Sequence, residues 1–329
     1  MRSRDLGRAL GVLALAAMPA ACSGLQGQTS SPAMPADNAA RPVDSKFGAT
    51  GMVPEAKKTN LLYVSDDKGK VYIFSYPAGK PMGTLTGFNG PAGLCSDANG
   101  DVFIADTGDQ NILEYAHGGK QPISTLQDFG AFPNGCSVDP TTGNLAVTNY
   151  SSNPVGPGSV AIYSGAQGSP TFYTADNFNV YLFCGYDGKG NLYIDGLNSG
   201  TTQPLLAELP SGGTSFTGIA LDRSIGLLGA IQWDGKNVAV EDVSTDTVYQ
   251  VSVSGSTGTV VGSTQLSSRS NLLVQFWIQG QTIVAPEGTK PRHANKVGLW
   301  PYPGGGSPTG VLSNIGSTEL YGATVSLAK

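Results

Sequence analysis

The chain has 329 residues, a net charge of −5 and 13% charged residues, against about 25% in a typical soluble domain. It contains 46 glycines, and the remainder is rich in Ser, Thr and Asn. The length suits one large all-β domain. The acidic balance without a basic stripe argues against nucleic acid as a partner, because phosphate contacts need clustered Lys and Arg.

The first 22 residues resemble a bacterial lipoprotein signal peptide. Three arginines precede an apolar stretch at residues 9–21, which is too short to span a bilayer. Two alanines stand directly before Cys22, as in a lipobox, although Pro19 stands where such sequences usually carry Leu. We predict export, with a lipid on Cys22 as the membrane anchor. The alternative is an ordinary signal peptide cut nearby, with Cys22 incidental.

The segment 23–60 follows the leader and lacks apolar periodicity. It is rich in Ser, Pro, Ala and Asn, a composition that favours a flexible linker. The sequence therefore predicts three parts: a signal peptide at 1–22, a linker at 23–60 and a folded domain at 61–329.

One short pattern recurs six times in the region 61–329. A strand-like run ends in an aromatic or apolar residue, a small Gly/Pro/Ser turn follows, and then a Thr/Ser/Val-rich run. The six end residues are Tyr76, Tyr115, Tyr163, Leu209, Val253 and Tyr302. Such a period in the forties, built of short strands and Gly turns, predicts a β-propeller with one four-stranded sheet for each repeat.

The two ends of the repeat region complement each other. The first repeat begins at the run 61–66 without an innermost strand, and the chain ends with a lone strand-like run at 322–327. We expect the last strand to join the first blade, because closure removes exposed sheet edges. The predicted fold is an all-β, six-bladed β-propeller closed in this way.

The residues from Pro91 to Ile112 resemble an NHL repeat. The stretch from Pro133 to Asp139 is similar to the same repeat and to the six-bladed SMP-30/gluconolactonase-like and strictosidine-synthase-like proteins. The resemblance extends over about 61–329. It implies a propeller fold, and this fold carries many different functions.

The resemblance to the lactonases implies a divalent metal on the channel axis, held by Glu and Asn/Asp side chains at the starts of the inner strands. The equivalent positions here are Ala92, Asn134, Leu182, Gly229 and Gln275. Asn134 matches and Gln275 matches weakly, whereas a hard cation prefers about six oxygen ligands. We therefore predict no cofactor, with a divalent cation such as calcium as the alternative. The other interpretation of Asn134 is a turn residue that caps its own backbone.

A second set of polar residues ends the second strand of successive repeats: Asp66, Asp106, Asn149, Asp195 and Asp242. A ring of such side chains would bind a cation or an amine-bearing ligand. The alternative is that each side chain hydrogen-bonds the amides of its own loop. His293 lies in a loop of mixed charge and is the better placed of the two histidines, so it joins the candidate ligand-binding residues.

The domain contains Cys95, Cys136 and Cys184, an odd number for an exported protein. The sequence leaves two alternatives open. Either one pair forms and leaves one spare thiol, with a bridge between Cys136 and Cys184 of neighbouring blades as the pair considered, or all three thiols are free and buried where strands crowd near the axis.

Taken together, these features predict an exported, membrane-tethered binding module that is monomeric and not catalytic. It is expected to bind a protein, peptide or glycan through its longer loops, at 149–159, 196–203 and 286–297, because insertions into repeats tend to carry the variable surface. The alternatives are a metal-dependent hydrolase of the SMP-30 type and a structural assembly subunit. The predicted location is the cell envelope, as a lipoprotein or as a periplasmic or extracellular protein.

Overall fold

The computed structural model describes residues 51–66, 68–152, 156–198, 203–267, 274–290, 293–313, 315–317 and 319–329. The predicted signal peptide, Cys22 and most of the predicted linker lie outside these ranges. Among the helices of the described residues, none is long and apolar enough to cross a membrane.

The described residues form an all-β structure of 24 strands, arranged in four four-stranded sheets and one eight-stranded sheet. We divide the strands into six groups of four, A to F. Group A contains β1 (Leu61–Asp66), β2 (Lys70–Ser75), β3 (Pro81–Thr86) and β24 (Leu320–Ser326). Group B contains β4 (Pro91–Ser96), β5 (Val102–Asp106), β6 (Asn111–Tyr115) and β7 (Ser124–Gln127). Group C contains β8 (Ala131–Val138), β9 (Leu145–Ser152), β10 (Ser159–Tyr163) and β11 (Thr171–Tyr173).

The second half of the domain contains the other three groups. Group D contains β12 (Phe178–Tyr186), β13 (Leu192–Asn198), β14 (Pro204–Leu209) and β15 (Thr217–Leu221). Group E contains β16 (Leu228–Trp233), β17 (Val238–Asp242), β18 (Thr247–Ser254) and β19 (Thr257–Gln265). Group F contains β20 (Trp277–Gln279), β21 (Thr282–Lys290), β22 (His293–Pro301) and β23 (Gly310–Leu312). Groups D and E form the eight-stranded sheet, since β15 and β19 pair in parallel.

Within each group neighbouring strands run antiparallel. The sheet of group A has the order β24-β1-β2-β3, so the last strand of the chain lies at its edge, beside β1. β24 pairs with β1 from Leu61 opposite Ser326 to Asp66 opposite Leu320, with one irregularity after Val64. The inner strand that the first repeat lacks is thus supplied by the C-terminal strand.

The hydrophobic core lies between the groups. Leu113 and Tyr115 of group B pack with Tyr63 of group A, whereas Phe103 of group B packs with Val147 of group C. Hydrophobic clusters cover β1 on both faces, and all six of its residues are buried.

The end of the predicted linker is packed against groups A and B. A short 3-10 helix spans Pro54–Lys58, and Met52 and Ala56 are buried. The amide of Val53 donates to the carbonyl oxygen of Met82 at 2.9 Å. The packed region therefore begins before Leu61, at Met52 or earlier.

A disulfide joins Cys95 on β4 to Cys136 on β8, with Cα atoms 5.6 Å apart. The alternative of one pair and one spare thiol is confirmed, whereas the expectations of three free thiols and of a Cys136–Cys184 bridge are wrong. Cys184 is a buried free thiol, and burial raises its pKa, as does the nearby carboxyl of Asp195. Neighbouring inner strands approach each other closely enough for a bridge, but spacing along the chain does not tell which pair is aligned.

Cys184 contacts group C in the same way that Cys136 contacts group B, with its sulfur beside a backbone carbonyl of the second strand. The sulfur of Cys136 lies 3.8 Å from the carbonyl oxygen of Phe103, and that of Cys184 lies 3.7 Å from the carbonyl oxygen of Ala146. Cys95 is the cross-strand partner of Phe103 in group B. In group C the cross-strand partner of Ala146 is a serine, Ser137.

We expect Ser137→Cys to form a second disulfide, with Cys184, because it restores the arrangement that links groups B and C. Ser137 already accepts a hydrogen bond from the amide of Tyr186 at 3.0 Å, so it lies against group D. Thiol titration in denaturant and non-reducing peptide mapping should show that the Cys184 thiol is consumed. The control Ser96→Cys, whose native hydroxyl faces Val325, should add one free thiol. A Ser137→Cys protein with two free thiols in the folded domain after oxidation would contradict this expectation.

Candidate functional site

Asp66 ends the second strand of group A, and its carboxylate holds the following turn. One oxygen accepts the amides of Lys68 at 2.9 Å and Lys70 at 3.2 Å, and the other accepts the hydroxyl of Tyr72 at 3.1 Å. Asp66 is buried. Its side chain hydrogen-bonds the amides of its own loop, which is the alternative to the ligand-binding ring.

Asp242 has the same role at the end of β17. Its oxygens accept the amides of Gly226 at 3.3 Å, Leu227 at 3.4 Å and Ser244 at 3.0 Å, and the hydroxyl of Ser244 at 2.5 Å. All of these partners are donors, so the site is built for an ionised carboxylate.

Asp106 ends the second strand of group B, and Asn149 lies at the corresponding position of β9 in group C, three residues before the end of that strand. Both carboxylate oxygens of Asp106 accept the amide of Asn89, at 2.8 and 3.0 Å. Burial raises the pKa of Asp106 to about 7, the Asn89 amide opposes this shift, and Asp109 adds to it. The amide group of Asn149 donates to the hydroxyl of Ser159 at 3.3 Å. Asp106 thus holds the loop that precedes β4, and Asn149 contacts the first residue of β10.

Asp195 differs from the other members of the predicted ring. It lies three residues after the first residue of its strand, as do Ala105, Thr148 and Glu241 in β5, β9 and β17, and all four side chains are fully buried. Asp106, Asn149 and Asp242, the other predicted members of the ring, lie one residue further on in their strands. An offset of one residue moves a side chain to the other face of a sheet. The assignment of Asp195 to the strand-end set is therefore wrong.

The environment of Asp195 favours its neutral form. One oxygen accepts the amide of Phe183 at 2.7 Å, and the other has no hydrogen-bond partner among the described residues. Burial raises the pKa of Asp195 well above its ordinary value, and the nearby carboxyl of Glu241 adds to this shift. Thr148, at the equivalent position, donates its hydroxyl to the carbonyl of Leu182 at 2.8 Å. A protonated Asp195 would supply a donor of the same kind.

Asn134 and Gln275, the two predicted axial ligands, tie inner strands together. Asn134 donates to the carbonyl of Leu182 at 2.5 Å and accepts the hydroxyl of Tyr321 at 2.6 Å. Gln275 accepts the amide of Leu94 and donates to its carbonyl, both at 2.7 Å. Asn134 does not cap its own backbone, so that interpretation is wrong. Within the described ranges, no three His, Cys, Asp or Glu side chains converge in a group that could hold a metal ion.

The predicted loops of groups D and F prove to be largely extended hairpins between the second and third strands, with pairing up to Leu197 opposite Pro204 and Lys290 opposite His293. In group C the pairing of β9 with β10 ends at Asn149 opposite Ser159, and one isolated bridge joins Ser152 and Gly156. In group F, β21 reaches Lys290 and β22 begins at His293, and these two residues pair. The corresponding turns of groups A, B and E, at 66–70, 106–111 and 242–247, are short. Since all six connections leave the same ends of their strands, one face of the domain carries three long connections, two of them tall hairpins in groups D and F, and three short ones. His293 lies at the tip of the group F hairpin.

A cavity of about 490 Å³ lies at the base of this face, between the tall hairpin of group F and the short turn of group A. Its lining includes Asp66, Lys70, Tyr72, Asn295, Ile315 and Ser317. Burial raises the pKa of Tyr72 to about 12, and the carboxylate of Asp66 adds to this shift. Sequence reasoning identified Asp66 but missed Tyr72 and Ser317. The unequal lengths of the hairpins were the signal that pointed to this region.

Comparison with known proteins gives the family. The NHL repeat model matches residues 88–115, which include β4, β5 and β6. The human NHL-repeat-containing protein 4 is 31% identical over 109 residues, which cover 32% of this chain and 82% of that protein.

Solved structures support the fold. A chain in the crystal structure of a nidogen/laminin complex is similar with a TM-score of 0.64 at 17% identity, over 82% of this chain and 99% of that chain. A protein of unknown function from Bacteroides caccae is similar with a TM-score of 0.59 at 11% identity, with the same coverage. These likenesses concern the fold alone and show that the all-β domain has propeller-like neighbours. The match to the human relative shows that the chain belongs to the family of NHL-repeat-containing proteins.

Proposed function

We propose that this protein is an exported, membrane-tethered six-bladed β-propeller that acts as a binding module for a protein, peptide or glycan. The observation that carries the proposal is the uneven face on which the connections of groups C, D and F are longer than the other three and those of D and F continue as paired hairpins. A scaffold with unequal hairpins on one face presents a shaped surface to a ligand, whereas the repeat itself is devoted to packing.

The contacts between inner strands support six blades in a closed ring. β24 packs on β4, β4 on β8, β8 on β12, β12 on β16, β16 on β20, and β20 on β24. This order follows the chain through all six groups and returns to its start. The pairing of β24 with β1 gives the closure a hydrogen-bonded seam.

Two features support export. The Cys95–Cys136 bridge suits an oxidising compartment, since disulfides persist outside the cytosol. The leader with Cys22 suggests a lipid anchor, which needs a tether of some length between membrane and domain. The cell envelope is the proposed location.

The hydrogen bonds of the strand-end acids support binding rather than catalysis. Asp66 and Asp242 already accept backbone amides of their own turns, and Asp106 accepts the amide of Asn89 in the loop before β4. A carboxylate that holds a loop in this way cannot move to a substrate without releasing buried amides, which costs about 1–3 kcal/mol for each group.

Shortening the tall hairpins is expected to reduce capture of the natural partner at least tenfold. In one variant Asn-Gly replaces residues 198–203, and in another it replaces residues 288–295, because Asn-Gly forms the two-residue turn that antiparallel strands favour. The measurement is cross-linking in the producing cells with the full chain, followed by quantitative mass spectrometry. The ligand surface is removed while the blades are kept.

The matched control has Asn-Gly in place of residues 140–143, a turn at the opposite end of the strands. It should capture the same partners as the wild type, and thermal melts should show that all variants fold. Unchanged capture by both shortened variants, or equal loss in the control, would refute the proposed binding face.

A further inference from the structure

We infer that the cavity between groups A and F binds one neutral saccharide unit. The inference rests on the proposed function, since it takes the uneven face as the binding surface, and it names the chemical class of ligand. The cavity of about 490 Å³ falls within the roughly 300–1,000 Å³ of small-molecule sites.

The polar groups of the cavity include both acceptors and donors. Tyr72 gives its proton to Asp66, so the phenol oxygen presents lone pairs to the cavity. Asn295 lines the cavity, and its Oδ1 has no hydrogen-bond donor among the described residues. Lys70 supplies an ammonium group that donates only. Ser317 accepts the amide of Glu319 at 3.2 Å, which leaves its hydroxyl proton to donate.

A sugar hydroxyl matches this mixture because each hydroxyl both donates and accepts. A ligand with donors alone would leave Lys70 and Ser317 unmatched, and one with acceptors alone would leave Tyr72 and Asn295 unmatched. An unmatched buried polar group costs affinity, so a site of mixed polarity selects a ligand of mixed polarity.

The cavity also has an apolar wall. Ile315 is buried and packs in the cluster of groups A and F, against which the half-buried ring of Tyr72 also packs. A saccharide has C–H faces between its hydroxyls, and an aromatic ring beside an aliphatic side chain is a suitable surface for such a face.

Charge favours a neutral ligand over an ion. At the rim Lys68 pairs with Glu319, and the ammonium charge of the exposed Lys70 is balanced by the carboxylate charge of the buried Asp66. The four charges sum to zero. An anionic ligand would meet two carboxylates and a cationic ligand two ammonium groups, so neither gains a net attraction.

The test is saturation-transfer NMR on the full chain with glucose, galactose, mannose and N-acetylglucosamine as probes. Glucuronate and glucosamine serve as charged comparators. We expect at least one neutral sugar to bind with a Kd in the millimolar range, as suits a ligand of so few atoms. Asn295→Ala and Lys70→Ala should each weaken binding about tenfold. Lys80→Ala, an exposed lysine at the opposite end of the group A strands, should leave binding unchanged.

The inference is overturned if no neutral sugar binds, if glucuronate or glucosamine binds more tightly than every neutral sugar, or if Asn295→Ala and Lys70→Ala both bind like the wild type. Lys70 is an exposed residue, so Lys70→Ala keeps the test valid even if Asn295→Ala fails to fold. Loss of partner capture on hairpin shortening without any sugar binding would overturn this inference and leave the proposed function standing. Sugar binding together with unchanged partner capture by the shortened variants would leave this inference standing and overturn the proposed function.

Discussion

Replacing both Cys95 and Cys136 by Ala is expected to lower the free energy of unfolding by about 4 kcal/mol. The bridge joins residues 41 apart in sequence, so it restricts a loop of that length in the unfolded chain. The entropy of closing such a loop gives this magnitude. The bridge also links the inner strands of groups B and C. Urea unfolding of the oxidised wild type and of the double variant would measure the difference.

Two controls isolate the contribution of the bridge. Cys184→Ala removes a buried thiol of similar size without breaking a bridge and should cost no more than about 1 kcal/mol. A reductant should destabilise the wild type and leave the double variant unchanged. Equal stability of the oxidised wild type and the double variant would show that the bridge contributes nothing to folding.

Asp195→Asn is expected to stabilise the protein, by an amount that grows as the pH rises above 4. Because the pKa of Asp195 is raised on folding, the folded state holds this proton more tightly than the unfolded state. The stability present below the ordinary carboxyl pKa is therefore lost as the pH rises toward the raised pKa. Asparagine does not titrate, its oxygen can still accept the amide of Phe183, and its NH₂ group supplies a donor. We expect a gain of about 1–3 kcal/mol at pH 8.

The measurement is the free energy of unfolding of both proteins from pH 4 to pH 8. Burial also raises the pKa of Asp106 and Asp128 to about 7. These two carboxyls lower the stability of both proteins equally as the pH rises, so their contribution cancels when the two free energies of unfolding are subtracted. Asp242→Asn is the matched control, and its effect on stability should have the opposite sign. All four hydrogen bonds at Asp242 come from donors, so the NH₂ group of an asparagine would face a donor and lose that hydrogen bond. It should destabilise by about 1–3 kcal/mol. A difference between the Asp195→Asn protein and the wild type that does not change with pH would contradict the neutral assignment.

The sequence predicted the architecture well wherever the prediction rested on local periodicity. The second strands of groups B to E lie where the apolar runs after the Asp/Asn/Gly turns indicated. The turns themselves contain glycines with positive φ, such as Gly100 at 88° and Gly190 at 84°. Both signals act within a few residues, so they can be read along the chain.

The candidate site was predicted less well. Asp66 was identified, but the cavity also needs Tyr72 from the next strand, Asn295 from group F and Ser317 from the segment before β24. No pattern within one repeat connects these residues, because the cavity exists where the first and last repeats meet.

The amino-acid sequence by itself determined the all-β class, the repeat and the turns, because strand alternation and glycine conformation are properties of neighbouring residues. Only the tertiary structure decided that Cys95 rather than Cys184 pairs with Cys136, that Asp195 is turned inward, and that Asn134 meets Tyr321. Each of these depends on the alignment of strands far apart in the chain, and a shift of one residue in that alignment changes which side chains face each other.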